Sequence, residues 1–250
     1  TVYGNYKLVH TSSAAFKQKT YQTVSLPNGN YTASVKVRST GGQNALHLYA
    51  KGYGSAAELQ AVVGSAGYAS WTEFTIPNIP VTNGQVEIGI WSDGNANNWA
   101  AFDDLVLTRN YVNNPGFETG NTSGWSQYST VGSAQHIDYG GARSGNYKLA
   151  HEHSAAYKQK TYQSVSVPNG TYKASVWLRS TGGQNAFHLY AKNYGGAELQ
   201  AIAGSASIPG WTLFTIANIP VTSGQIEIGI WSDANANNWA AMDDFILVRQ

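Results

Sequence analysis

The chain is written twice, and no other feature constrains its fold as much. GNYKL at Gly4 to Leu8 returns at Gly145 to Leu149, an offset of 141 positions, and STGGQNA at Ser39 to Ala45 returns at Ser180 to Ala186. IGIWSDGNANNWAAFDDLVL, from Ile88, comes back as IGIWSDANANNWAAMDDFIL from Ile228, after one residue is lost between Tyr53 and Glu58. A period this long exceeds the roughly 20 to 50 residues of a solenoid unit, so each copy is expected to be a domain with its own core. The division expected is residues 1–110 as module 1 and 111–250 as module 2. The second copy is preceded by YVNNPGFETGNTSGWSQYSTVGSAQHIDYGGARS, Tyr111 to Ser144, which has no counterpart ahead of the first. Module 1 is therefore expected to lack its opening segment. Truncation is the favoured explanation, the alternative being that Tyr111 to Ser144 serves module 1.

Within each copy, runs of four to eight alternating residues lie between turn signals such as PNGN, STGG and DGNANN. The 250 residues include 27 glycines and only 12% charged residues, and no segment keeps a helical period over three turns. The pattern predicts an all-β protein of two tandem β-sandwich (jelly-roll) modules. The net charge of +1 provides no basic footprint for nucleic acid. No stretch approaches the ~20 apolar residues that span a bilayer, so no membrane partner is expected. TVYGNYKLVH does not read as a signal peptide, so any export signal lies upstream or has been removed. The absence of cysteine removes disulfides, thiol nucleophiles and thiolate metal sites, and is compatible with a secreted, extracellular protein.

Because strand side chains alternate between faces, each strand splits into a core set and an outer set. In NALHLYAK the core set is Leu46 and Leu48, which turns His47, Tyr49 and Lys51 outward, with His188, Tyr190 and Lys192 as the repeat. In AELQAV, Glu58 and Gln60 face out, as do Glu198 and Gln200. Burying Val86, Ile88 and Ile90 leaves Glu87, Gly89 and Trp91 outside, matched by Glu227, Gly229 and Trp231. YTASVKVR adds Lys36 and Arg38 to this set and YKASVWLR adds Trp177 and Arg179, while Trp99 and Trp239 end the following loop as a wall. The expectation is one aromatic and polar groove per module that takes a neutral polysaccharide or oligosaccharide. Sugar C–H faces stack on indole and phenol rings, and sugar hydroxyls need directional donors and acceptors. An inverted assignment, with Tyr49 and Trp91 in the core, would also bury Glu58, Lys51 and Arg38, at several kcal/mol per unpaired charge.

With those residues in view, the chain resembles the bacterial jelly-roll carbohydrate-binding modules of the superfamily of families 4, 16 and 22. NPGFETG followed by SGW, at Asn114 to Trp125, resembles the opening strand of that superfamily, and WAAMDDFIL at Trp239 to Leu247 its closing one. The SDANA…W…DD run is similar to galactan-binding family 61. The resemblance implies a non-catalytic module that binds β-1,4-galactan and targets an attached glycoside hydrolase within a larger multidomain protein. It also implies a structural calcium ion held by Glu118 with Asp243 or Asp244, carboxylates being suitable calcium ligands. The strand around Phe117 is expected to pair with Phe245 to Val248. The alternatives are a jelly-roll hydrolase or lyase using Glu58 and Glu87, or a module for β-glucan or xylan. No nucleophile or metalloprotease motif supports catalysis, and duplication favours binding, because two weak sites on one polymer gain avidity.

Overall fold

The computed structural model describes every residue except Tyr3. Its described elements are all strands, and the chain divides into two compact units, Thr1–Arg109 and Asn110–Gln250. In the first unit the strands are β1 (Leu8–Thr11), β2 (Phe16–Ser25), β3 (Gly29–Ser39), β4 (Ala45–Lys51), β5 (Leu59–Val62), β6 (Tyr68–Val81), β7 (Gln85–Gly94) and β8 (Trp99–Asn110). In the second they are β9 (Ser126–Ser129), β10 (Gln135–Tyr139), β11 (Tyr147–Glu152), β12 (Tyr157–Ser166), β13 (Gly170–Ser180), β14 (Gln184–Lys192), β15 (Leu199–Ile202), β16 (Ile208–Val221), β17 (Gln225–Ala234) and β18 (Trp239–Arg249).

Each unit is a two-sheet sandwich. A front sheet has the order β2-β7-β4-β5 in module 1 and β15-β14-β17-β12-β9 in module 2. A back sheet has the order β1-β8-β3-β6 in module 1 and β10-β11-β18-β13-β16 in module 2. The alternation read from the sequence sets the inner faces: Leu46, Leu48, Val86, Ile88 and Ile90 join Val35 and Val37 in one core, and Leu189, Ile226, Ile228 and Ile230 join Val176 and Leu178 in the other. The STGG turns carry Gly41 and Gly182 at φ +79° and +83°, where an added Cβ would meet a backbone nitrogen at 2.7 Å, so only glycine closes this loop without strain.

The segment before β11 belongs to module 2, but Phe117 does not lie in a strand there. Asn114 and Phe117 have φ of 46° and 58°, which breaks extended pairing on either side of Pro115. The expected ladder with Phe245 to Val248 reduces to two backbone bonds, from Phe245 N to Pro115 O at 2.9 Å and from Tyr111 N to Leu247 O at 2.9 Å. Phe117 is fully buried against Trp125 and Phe245, with ring centroids 5.3 and 6.0 Å away. The added strands lie further on, where β9 extends the front sheet along β12 and β10 extends the back sheet along β11.

The copies differ in packing for this reason. Phe245 is 0% exposed, whereas its counterpart Leu105 is 45% exposed. Gln159, Thr161 and Gln163 on β12 are buried, while Gln18, Thr20 and Gln22 on β2 are exposed. The inward side of β12 is polar because it holds the added segment: Gln163 Oε1 accepts from Asn113 N at 3.1 Å, and Gln159 Oε1 accepts from Ala134 N at 2.9 Å. A buried histidine bridges the sheets in both modules. His10 meets Ser92 Oγ and Thr20 Oγ1 at 2.7 and 2.9 Å, and His151 meets Ser232 Oγ and Thr161 Oγ1 at 2.8 Å each. Burial lowers the His10 pKa to about 4 and that of His151 to about 3, so both rings sit neutral in the core.

Candidate functional site

The outer face of the front sheet gathers the largest set of the expected residues. In module 2 the register runs Ile202, His188, Trp231, Lys160, Tyr128 along one rung and Gln200, Tyr190, Gly229, Tyr162, Ser126 along the next. Side chains from these rungs, with Gln127, Lys192 and Glu198, enclose a cleft of about 630 Å³. Tyr128 and Trp231 stand nearly parallel, 12° apart with ring centroids at 6.3 Å. Both rings line the cleft beside its polar groups.

Gly229 explains the floor. A Cβ there would lie 2.5 Å from Thr161 O and 2.8 Å from the Tyr190 hydroxyl, so the bare glycine lets the tyrosine ring lie down across β17. Tyr190 is 2% exposed and so is Tyr49, yet neither belongs to a core cluster; each is covered from the outer side. The Tyr190 hydroxyl donates to Glu227 Oε1 at 2.7 Å, and Lys160 and Lys192 each approach the same carboxylate at 3.4 Å. Burial, followed by the bond to Glu227, raises the Tyr190 pKa far above its ordinary value, so the phenol keeps its proton as a donor.

Module 1 repeats this arrangement. The Tyr49 hydroxyl donates to Glu87 at 2.8 Å, and Lys19 and Lys51 approach Glu87 at 2.6 and 3.6 Å. Burial pushes Tyr49 up to about 12, and the bond from Lys19 holds Glu87 below the ordinary carboxylate range. A carboxylate so fixed has no proton to give a leaving group. The other proposed acid, Glu58, is exposed and accepts from Gln60 Nε2 at 2.7 Å, with His47 Nε2 at 3.8 Å. Burial lowers the pKa of His47 and His188 despite the glutamate beside each. Among the described residues the module 1 front sheet has no fifth strand, so Trp91 has no partner equivalent to Tyr128.

The single groove expected from the sequence is corrected. His47, Tyr49, Glu58, Gln60 and Trp91 share the front face, as do His188, Tyr190, Glu198, Gln200 and Trp231. Arg38, Trp99, Trp177, Arg179 and Trp239 sit on β3, β8, β13 and β18 of the back sheet and face the opposite side of the sandwich. Residue alternation identifies which side of a strand is outward but not which sheet the strand joins. Lys19, Tyr21, Lys160, Tyr162, Gln127 and Tyr128 were not anticipated. The repeated KQKTYQ alternates Lys, Lys, Tyr on one side, but its other side, Gln, Thr, Gln, does not read as a core face.

Trp177 has a different explanation from ligand contact. Its indole lies 4.4 Å from the Arg143 guanidinium, which approaches Asp244 Oδ2 at 3.3 Å. In module 1 the residue at this position is Lys36, whose ammonium reaches Asp104 directly at 3.4 Å. Lysine supplies the counter-charge in one copy, and an arginine steadied by tryptophan supplies it in the other.

Among the described residues, no group of three or more His, Asp or Glu side chains is placed to hold a metal ion. Glu118 accepts from the amides of Asn146 and Tyr147 at 3.0 to 3.1 Å. Asp243 accepts from the amides of Arg143, Ser144 and Asp244, and Asp244 accepts from Ser144 Oγ and Arg143 Nη1. Every carboxylate oxygen of the expected calcium set faces a donor in this arrangement. Burial, with the Asp244 charge second, raises the Asp243 pKa to about 8.

No protein-family profile matches the chain. A 1,6-alpha-glucosyltransferase from Sporosarcina globispora is 29% identical over 162 residues, 58% of this chain; the match spans only 12% of that much longer relative. Among solved structures, TmCBM61 in complex with beta-1,4-galactotriose aligns with a TM-score of 0.52 and 29% identity, over 57% of this chain and all of that one. A family 16 carbohydrate-binding module aligns with a TM-score of 0.44 and 20% identity over 56% of this chain and all of that one. The CBM22-1–CBM22-2 tandem of Paenibacillus barcinonensis Xyn10C aligns over 99% of this chain and 88% of that one, with a TM-score of 0.40 and 13% identity. In fold, and in sequence over part of its length, the chain is similar to the jelly-roll carbohydrate-binding modules, family 61 among them.

Proposed function

We propose that each module binds a neutral polysaccharide, β-1,4-galactan in the first instance, on the outer face of its front sheet and without cleaving it. The observation that carries this reading is the module 2 cleft, where the parallel Trp231 and Tyr128 rings stand over a floor of Tyr190 and Tyr162 edged by His188, Glu198 and Gln200. An apolar wall for a sugar ring stands beside donors and acceptors for its hydroxyls. The carboxylates Glu87 and Glu227 are neutralised by lysine pairs, which supports binding over acid catalysis. The likeness to the galactotriose-bound module supports galactan. The likeness to a glucosyltransferase supports a second ligand, an α-glucan, and a place beside an enzyme acting on such polymers. In that setting the modules are secreted and hold the enzyme on its substrate.

Calorimetric titration with β-1,4-galactotriose, isomaltotriose, and β-glucan and xylan oligomers tests the proposal. Galactotriose is expected to bind with a Kd on the order of 10 µM to 1 mM, about −4 to −7 kcal/mol. Heats equal to dilution for all the sugars would remove it, and isomaltotriose alone binding would replace galactan by α-glucan.

A further inference from the structure

Charged side chains meet around the module 2 cleft, and one of them, Glu227, lies beneath it rather than in its wall. Glu227 is only 6% exposed and pairs in the ladders with Lys192 of β14 and Ser164 of β12. Its Oε1 accepts from the Tyr190 hydroxyl at 2.7 Å and faces both Lys160 Nζ and Lys192 Nζ at 3.4 Å, while its Oε2 accepts from Asn193 Nδ2 at 3.3 Å. Each ammonium also stands over a ring that lines the cleft, Lys160 at 3.8 Å from the Tyr162 centroid and Lys192 at 5.2 Å from that of Tyr190. Two like charges that share one oxygen repel each other, and the anion between them is what holds them together. The lining adds one further acid, the exposed Glu198, and His188, whose pKa burial holds below its ordinary value. Two cations thus meet two anions around the cleft.

We propose, resting on the front-sheet reading above, that Glu227 is the positioning residue that reserves this cleft for neutral saccharides. Its carboxylate fixes Lys160 and Lys192 as donors to sugar hydroxyls, which free lysines on flexible stems reach only at an entropic cost. It also takes up their charge, so an acidic sugar finds no free cation and meets two carboxylates. A neutral sugar is not penalised, because its hydroxyls accept from an ammonium whether or not the charge is balanced from below. Module 1 keeps the same device: Glu87 accepts from Tyr49 at 2.8 Å, with Lys19 and Lys51 at 2.6 and 3.6 Å. The acid at the far end of β17 differs. Asp233 faces Lys158 at 3.0 Å and accepts from Asn185 Nδ2 at 3.0 Å, and neither Asp233 nor Lys158 lines the cleft.

The full chain is titrated with β-1,4-galactotriose, isomaltotriose and trigalacturonate, with heats read by calorimetry and the Trp231 indole N–H followed by NMR. In the unaltered chain a neutral trisaccharide is expected to move the Trp231 signal, and trigalacturonate to leave it in place. Glu227→Gln keeps an acceptor for Tyr190 and removes the charge. It should weaken the neutral sugar about threefold and bind trigalacturonate about tenfold more tightly than the unaltered chain does, an affinity that falls as salt rises. Glu227→Asp keeps the charge at a shorter reach, so it should weaken the neutral sugar without admitting trigalacturonate. Asp233→Asn removes the same charge from the same face and should admit none. If Glu227→Gln fails to fold, Glu87→Gln replaces it, read at Trp91, on a side chain 21% exposed against 8% for Glu227. Trigalacturonate moving Trp231 in the unaltered chain beside a neutral sugar that also does, no gain from either glutamine variant, or an equal gain from Asp233→Asn would each overturn the role of Glu227 and leave the front-sheet reading standing. A Trp231 signal that neither neutral sugar moves would remove both.

Discussion

Replacing Trp231 by alanine tests whether the front sheet, rather than the chain's tryptophans in general, binds neutral saccharide. The indole is half-buried, stacked on Tyr128, and forms one wall of the cleft. Removing it deletes the flat surface and also frees Tyr128, already 51% exposed, from its ring partner. Aromatic stacking contributes about 0.5 to 1.5 kcal/mol, so Trp231→Ala is expected to weaken galactotriose binding by at least ~1 kcal/mol, about fivefold. Tyr128→Ala should cost less. The double variant should cost less than the sum, because each ring is held by the other. Trp239→Ala is the contrast, since Trp239 faces the other side of the sandwich and its loss should leave this affinity unchanged. Calorimetry on a chain whose module 1 is silenced by Trp91→Ala provides the measurement. If Trp239→Ala weakens binding as much as Trp231→Ala, or if Trp231→Ala has no effect while the module stays folded, the assignment to the front sheet is wrong.

Phe117→Ala removes a fully buried ring and is expected to destabilise module 2 by about 3 to 5 kcal/mol, seen in calorimetric melting as a drop in one transition with the other unmoved. The pH dependence separates two buried groups. Asp243 is raised when folded, so its contribution is fully present below its unfolded value and is lost as pH climbs through about 8. His151 is lowered when folded, so its contribution holds above its unfolded value and is lost as pH falls toward about 3. Asp243→Asn should therefore remove a decline in module 2 stability of up to about 1.4 kcal/mol per pH unit between pH 6.5 and 8, measured by urea unfolding. An unchanged slope would show that the aspartate pair titrates normally. Chelation by EDTA should leave the melting temperature in place, because donors already meet the oxygens of Glu118, Asp243 and Asp244. A fall of several degrees, restored by calcium, would show that a cation displaces Arg143.

The sequence by itself determined the duplication, the all-β class and the inner faces of the strands. Burial of Leu46, Leu48 and Ile88 follows from an alternation that any half-buried strand must obey. Alternation also turned His188, Tyr190, Gln200 and Trp231 outward on their strands, and the pairing of β15, β14 and β17 in a single sheet is what brings them together. The sheet to which β3, β8, β13 and β18 belong was decided only by the tertiary structure. A sandwich has two outer faces with the same period, and strand pairing alone tells them apart. The polar inward faces of β2 and β12 were illegible for a related reason. Gln159 and Gln163 are buried because distant backbone amides at Ala134 and Asn113 satisfy them, and no local pattern records a partner that arrives from elsewhere in the chain. The roles of Lys36 and Trp177 were hidden in the same way, since the carboxylates they serve lie about 70 residues further along and meet them only when β3 pairs with β8 and β13 with β18.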